Sequence, residues 1–309
     1  NKISKIYGIF NGTSNYILSS MDKENKSFDE VLTDAKKKGY AEADPSSDLN
    51  GDDVSAKLKI LSSLCFNSFL NHNIHVEGIK NIDKSDIDNA NKLGYKIKLL
   101  GYSEKINNKI YQRVHPTLIK KNSYIAGVDG VLNAVIVDGK PVGQSVIQGE
   151  GAGPSATTSA LISDISSILR GNVKFPFSLS EKVRKKLSFN DISNRYFSAY
   201  LRFDVVDKPG ILSKITSIFL KYNVSIKRLV QNPNKNTKTS MISIISHLSK
   251  DENLNKIEGI EKCIEEFRFT FPFKNRERGQ IYIKFPERLL TQPRIASAIT
   301  KEFQGRSSI

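Results

Sequence analysis

Lys57 follows Asp53 by four residues, and Glu42, Asp44, Asp48 and Asp52 lie shortly upstream. An amine that can give and take a proton, set among carboxylates that can hold a cation, suits proton transfer on a cationic small molecule. Residues i and i+4 are neighbours on a helix, so Asp53 and Lys57 meet if Asp52 to about Phe66 is helical. The sequence predicts that it is. Two aspartates open the stretch, where the helix dipole favours negative charge. Val54, Leu58, Leu61 and Cys65 then recur as one apolar stripe, which Ile60 and Leu64 widen. Ser55, Lys59, Ser62 and Ser63 fall opposite. The wheel sets Asp53 and Lys57 inside the apolar arc, between Ile60 and Leu61. A lysine there is costly unless paired. Spacing alone leaves two readings open: a structural ion pair at the edge of the core, or an active-site cluster.

The flanking elements must hold this cluster. Gly39, Pro45, Ser46, Ser47, Asn50 and Gly51 predict a loop from residue 39 to 51. Before it, Ser27 and Glu30 form a capping box for a helix to about Lys38, with Phe28, Val31, Leu32 and Ala35 inward and Gly39 closing it. The Glu42 loop is thus held between two helices. Earlier still, residues 1–7 are short and mostly polar. Asn11-Gly12 signals a turn, and Thr13 can cap a helix to about Met21. Downstream, Ile74–Ile79 alternates like a strand, and Ser85–Lys92 reads as helix. Tyr95–Tyr102 and Lys109–Leu118 read as strands. Residues 124–137 and 141–148 continue the β pattern, broken at Asp129-Gly130 and near Pro141. Gly149-Glu150-Gly151-Ala152-Gly153-Pro154-Ser155 follows a strand and opens a helix, about Ala156–Arg170, rich in Leu161, Ile162, Ile165, Ile168 and Leu169. Glycines there admit a ligand close to the backbone, and a helix N-terminus attracts phosphate; an ordinary glycine turn has the same composition. The fold class expected is α+β, helices on one face of a mixed sheet.

Residues 171 to about 195 mix Gly, Pro, Ser and Lys, and 173–195 read as a linker. A β-α-β-β-α series follows: a strand at Tyr196–Val206, a helix at Ile211–Tyr222, strands at 224–231 and 239–249, and a helix at about 254–266. Phe267–Phe271 is the candidate closing strand. Residues 273–309 form a basic tail that matches nothing expected.

Gly39-Tyr40-Ala41-Glu42-Ala43-Asp44-Pro45, with Asp48, Asp53 and Lys57, resembles the signature of homoserine dehydrogenases. So does Gly8-Ile9-Phe10-Asn11-Gly12-Thr13-Ser14-Asn15-Tyr16-Ile17-Leu18. The resemblance implies a catalytic domain over 1–172 that interconverts L-aspartate 4-semialdehyde and L-homoserine with NADP or NAD. It implies Lys57 as the proton donor and acceptor, Glu42 and Asp53 on the substrate ammonium, Asp48 in support, and Gly39, Gly151 and Gly153 near the cofactor. It implies that the helix after Gly153 packs on a nucleotide-binding domain. No strand–GxGxxG–helix fingerprint opens the chain, so a truncated enzyme with little turnover alone is expected. Residues 196–272, with Asp207-Lys208-Pro209-Gly210-Ile211 after the first strand, resemble a ferredoxin-like βαββαβ ACT domain. That implies an amino-acid ligand such as L-threonine near Asp207, Gly210 and Ile211, and assembly as a homodimer or homotetramer. The alternative is a non-catalytic, amino-acid-sensing ACT protein.

The whole chain has 309 residues, 47 Lys+Arg against 32 Asp+Glu, and a net charge of +15. Such a charge raises nucleic acid as a partner, but the lysines are scattered and no helix-turn-helix, aromatic reading stripe or zinc spacing occurs. No nucleic-acid partner is expected. No apolar run is long enough to span a membrane. The first residues lack a signal peptide's apolar core, and Cys65 and Cys263 form no disulfide framework, which fits the cytoplasm. His72, His75, His115 and His247 lack recognised metal spacing, and structural roles are expected for them.

Overall fold

The computed structural model describes residues 2–172, 182, 187–189, 195–234, 238–258 and 282–285. In chain order these form β1 (Lys2–Ile9), α1 (Gly12–Glu24), α2 (Phe28–Lys37), α3 (Ser46–Asn50), α4 (Asp52–Phe66), β2 (His75–Val76), α5 (Lys84–Lys92), β3 (Tyr95–Ile106), β4 (Lys109–Lys120), β5 (Leu132–Lys140), β6 (Gly143–Glu150) and α6 (Pro154–Leu169). Then come β7 (Ser188–Phe189), β8 (Tyr196–Val206), α7 (Ile211–Lys221), β9 (Ile226–Asn234), β10 (Thr239–Ser246), β11 (Ser249–Lys250), α8 (Asp251–Glu258) and β12 (Tyr282–Phe285).

The first sheet runs β2-β4-β3-β1-β5-β6, with β7 also on β4. Its neighbours are antiparallel except for the short β2 and β7, which run parallel to β4. Alternation along β1 sends Ile6 to one face and Tyr7 and Ile9 to the other, and all are buried because β1 lies between β3 and β5. Residues 1–7, expected to be a polar lead-in, are therefore mostly a central strand. Its Lys5 is tolerated there through an ion pair with Asp138. Helices α1, α4 and α5 pack on one face of the sheet around Ile17, Leu18, Val54, Leu58, Ile97 and Leu99. A short 3₁₀ turn, Tyr124–Gly127, helps close the other face over Tyr7, Ile9 and Tyr102. Gly8 and Gly101 face each other across β1 and β3. A Cβ on either would come within 2.7 Å of the Phe10 ring, and one on Gly101 within 3.2 Å of Val54. The two glycines thus let α4 approach the sheet.

In the second sheet, of order β11-β8-β10-β9, β12 also pairs with β8. Setting aside the two-residue β11, the order is the fourth, first, third and second strands, which is ferredoxin-like. Phe203, Ile211, Ile215, Phe219, Ile244 and Leu254 fill the core between this sheet and its helices. The sheet docks on the first unit through buried polar groups. Arg202 pairs with Asp83 and Asp86, the two residues of the capping box that starts α5. Tyr200 donates to Asp86 at 3.1 Å, Asn89 donates to Ser243 at 3.0 Å, and Arg113 pairs with Asp251 at 3.2 Å. Burial pushes the Asp86 carboxyl up to about 7, with Arg202 opposing.

Several expectations change in detail. Helix α4 has the expected bounds, but Ser55, Ser62 and Ser63 are buried while Ile60 and Leu64 are exposed. Ser62 and Ser63 can sit inside because their hydroxyls are bonded: Ser63 donates to Lys59 O at 2.7 Å, and Ser62 accepts from Gln112 at 2.8 Å. Only His75 and Val76 of the 74–79 stretch form a strand. Residues 46–50, expected as loop, make the short helix α3. Strand β5 starts at Leu132, after the 3₁₀ turn. The proposed closing strand at 267–271, Cys263, and the linker and tail apart from the stretches above lie outside the described residues.

Candidate functional site

The site forms where β1 ends and α1 begins. The N-cap of α1 is Asn11 rather than Thr13: its Oδ1 accepts from Ser14 N at 2.8 Å. Its Nδ2 donates to Asp48 Oδ1 of α3 at 2.7 Å and to Asp53 Oδ2 of α4 at 2.9 Å. Lys57 Nζ lies 2.8 Å from the same Asp53 oxygen and donates to Phe10 O at 3.1 Å. Two consecutive residues, Phe10 and Asn11, therefore gather Lys57, Asp53 and Asp48 from two helices. Gly51, at φ +87°, joins those helices, and Val76 and Val114 side chains lie 3.1 and 3.2 Å from where its Cβ would be. Only a residue without Cβ makes so tight a junction.

Lys57 is not turned into the core as the wheel implied. Its side chain is 46% exposed, against 28% for Asp53. The helix buries Val54 and Leu58, and Lys57 stands at the rim with its ammonium drawn back by Asp53 and Phe10 O. An amine held on one side by two acceptors and open on the other is placed to meet a substrate.

The expected loop flanks this group. Helix α2 has its capping box and ends with Tyr40 N bonded to Ala35 O at 2.9 Å and Gly39 N to Lys36 O at 3.1 Å. Gly39, at φ +72°, permits that Schellman turn. Thr13 Oγ1 donates to Tyr40 O at 2.7 Å, tying the loop to α1. The Ser46 hydroxyl and amide hold the Asp44 carboxyl below its ordinary range. Glu42 is exposed, and no hydrogen bond or ion pair among the described residues joins it to the cluster.

The glycine loop reaches the same end of the sheet. Ile9 of β1 pairs with Ala134 of β5, and Leu132 of β5 pairs with Glu150 at the end of β6. Gly151 and Gly153 follow directly. A Cβ on Gly151 would lie 1.9 Å from Asn133 Nδ2, so close packing explains this glycine. Gly153, at φ +104° and ψ 162°, has open space where a side chain would stand and caps the sixteen-residue α6. Helix α6 buries none of its residues, and Leu161, Ile162, Ile165, Ile168 and Leu169 are all exposed.

Sequence reasoning missed a buried network behind the site. Asn15 Nδ2 donates to Val128 O, Gly130 O and Leu132 O at 3.0–3.1 Å. Lys98, 1% exposed, donates to Asn15 Oδ1, Val128 O and Asp129. Burial pushes the Lys98 amine below its ordinary value while Asp129 opposes. The network fixes the start of β5 against α1. Lysines alternating with apolar residues, as in Lys96-Ile97-Lys98, are the ordinary pattern of a solvent-facing strand face, so charge pattern carries no signal of this burial.

In the second unit, Asp207, Gly210 and Ile211 line one cavity of about 420 Å³, together with Gln231 and Ser240. Among the described residues no cluster of His, Cys, Asp and Glu could hold a metal, and no helix is long and apolar enough to cross a membrane.

The family model for homoserine dehydrogenase matches residues 1–166, and the model for the ACT domain matches residues 199–261. A homoserine dehydrogenase of Neisseria gonorrhoeae is 38% identical over 280 residues, covering 86% of this chain and 63% of its own length. One of Helicobacter pylori is 37% identical, over 84% of this chain and 62% of its own. The crystal structure of a homoserine dehydrogenase from Thiobacillus denitrificans superposes with a TM-score of 0.78 at 33% identity, over 92% of this chain and 64% of that one. The chain thus spans just under two thirds of the length of these relatives.

Proposed function

The chain belongs to the homoserine dehydrogenase family, and we propose that it supplies the substrate-binding and proton-transfer half of an NAD(P)-dependent oxidoreductase site interconverting L-aspartate 4-semialdehyde and L-homoserine. The observation that carries this is the Lys57 ammonium, held by Asp53 and Phe10 O and open on its other side. In reduction, Lys57 gives a proton to the aldehyde oxygen as it becomes the hydroxyl; in oxidation it takes that proton back. Glu42 and the oxygens of Asp48 and Asp53 not engaged by Asn11 hold the substrate ammonium.

The glycine loop fits a dinucleotide. Its backbone is exposed at the N-terminus of α6, Gly153 leaves open space, and Asn133 Oδ1, beside Gly151, is buried without a partner. The nicotinamide, when bound, supplies or accepts the hydride at the substrate's terminal carbon. Gly39, Gly151 and Gly153 border it in this reading. Residues 1–172 form the catalytic unit and 196–272 the regulatory one, with an amino acid such as L-threonine in the cavity at Asp207, Gly210 and Ile211. The sensor-only reading is disfavoured by the intact Asp48–Asp53–Lys57 cluster. The test is calorimetry with L-homoserine. Saturable binding that Asp53→Asn weakens roughly tenfold supports the reading, and no binding in the millimolar range overturns it.

A further inference from the structure

Asn11 is a buried amide whose four hydrogen-bonding positions, two on oxygen and two on nitrogen, are all committed. Its oxygen accepts from Ser14 N and, at 2.9 Å, from Ser14 Oγ, so the amide cannot be turned around. The nitrogen must then face Asp48 and Asp53, which belong to different helices. These two carboxylates converge on one amide, and the one ion pair among the described residues that either makes is that of Asp53 with Lys57.

We propose that Asn11 is the positioning residue for the amino group of the substrate. The inference rests on the reading of the site given above. Each of its two N–H groups occupies one oxygen of one carboxylate. Asp53 Oδ2 is thereby shared between Asn11 and Lys57, while Asp53 Oδ1 and Asp48 Oδ2 are left to accept from an ammonium. Asn11 touches neither the aldehyde nor the hydroxyl. Its work is to hold two carboxyl groups together at the fixed spacing that an α-amino group bridges.

The role separates from helix capping by substitution. Asn11→Ser keeps a side-chain oxygen suited to the N-cap of α1 and removes both donors. Calorimetry on this chain with L-homoserine and with 4-hydroxybutanoate, the same molecule without its amine, reads the difference. Wild type is expected to prefer L-homoserine by at least roughly tenfold. Asn11→Ser is expected to bring that ratio toward one, by weakening L-homoserine and leaving 4-hydroxybutanoate unchanged, with a thermal midpoint within a few degrees of wild type. An unchanged ratio, or an equal loss for both compounds, overturns the inference. Asn11→Asp, which keeps the cap and sets a third carboxylate against the other two, is expected to lose the preference as well; retention of it also overturns the inference. Wild type that binds neither compound removes the reading of the site itself, and this inference with it.

Discussion

Asn15 shows at the residue scale how much of the site rests on groups that never reach it. Its amide nitrogen holds three carbonyls of the 128–132 segment, and its oxygen receives the buried Lys98 ammonium. Asn15→Ala leaves those carbonyls and that amine short of partners, at a cost of about 3 kcal/mol in urea denaturation. The Lys57–Asp53 pair behaves differently. It is half exposed, so Asp53→Asn should change stability by less than about 1 kcal/mol while weakening substrate. The residue types and the i,i+4 spacing of this pair were legible in the sequence. That it stands at the rim was not, because the wheel assumed that apolar side chains mark the inside. Ile60 and Leu64 do not obey, since buried hydroxyls bonded to Lys59 O and to Gln112 take the inner face instead.

Among the elements, those with caps were read best. Helix α2 carries its predicted capping box, and α4 and β8 have the predicted bounds. Strand β1 was missed because its lysines interrupt the apolar alternation, and what makes it central is pairing with β3 and β5, far along the chain. The glycine loop was legible by composition, but the two glycines differ. Gly153→Ala places a side chain in backbone space almost reserved for glycine, costing about 1–3 kcal/mol, and should also weaken NADPH, read by fluorescence titration. Gly151→Ala clashes with Asn133, so Asn133→Gly should relieve it in a double variant. A pH effect belongs to β7, where the Phe189 ring stacks on His72. Burial holds the imidazole down to about 4, with Lys59 adding to the effect, against an ordinary 6.5. The folded state therefore favours neutral His72. Its contribution is whole above about pH 6.5 and is lost as pH falls toward 4. His72→Phe should flatten this part of the stability profile in urea melts between about pH 7 and pH 5.

On the scale of the whole molecule, two sheets are joined by buried charge. Arg202 from β8 meets Asp83 and Asp86 at the start of α5, and α5 packs on α1 and β3. Arg202→Leu strands the Asp86 carboxylate and should cost about 3–5 kcal/mol. Replacing Arg202, Asp83 and Asp86 together by apolar residues should restore only part of it, because the α5 capping box is lost with the acids, measured by the same denaturation. The β-α-β-β-α order of the second unit was readable from strand and helix periods, whereas its docking was not, because arginines and aspartates read as surface in a single sequence. The chain brings the amine, the acids and the glycine loop to one end of one sheet, and the reaction proposed above requires Lys57 to be the proton carrier there. The direct measurement is NADPH-dependent reduction of aspartate semialdehyde by a protein of the relatives' full length that carries these residues, for wild type and Lys57→Met. The account predicts a fall in kcat of about 10²–10⁴-fold with KM within a few-fold. A variant that turns over at nearly the wild-type rate would contradict it.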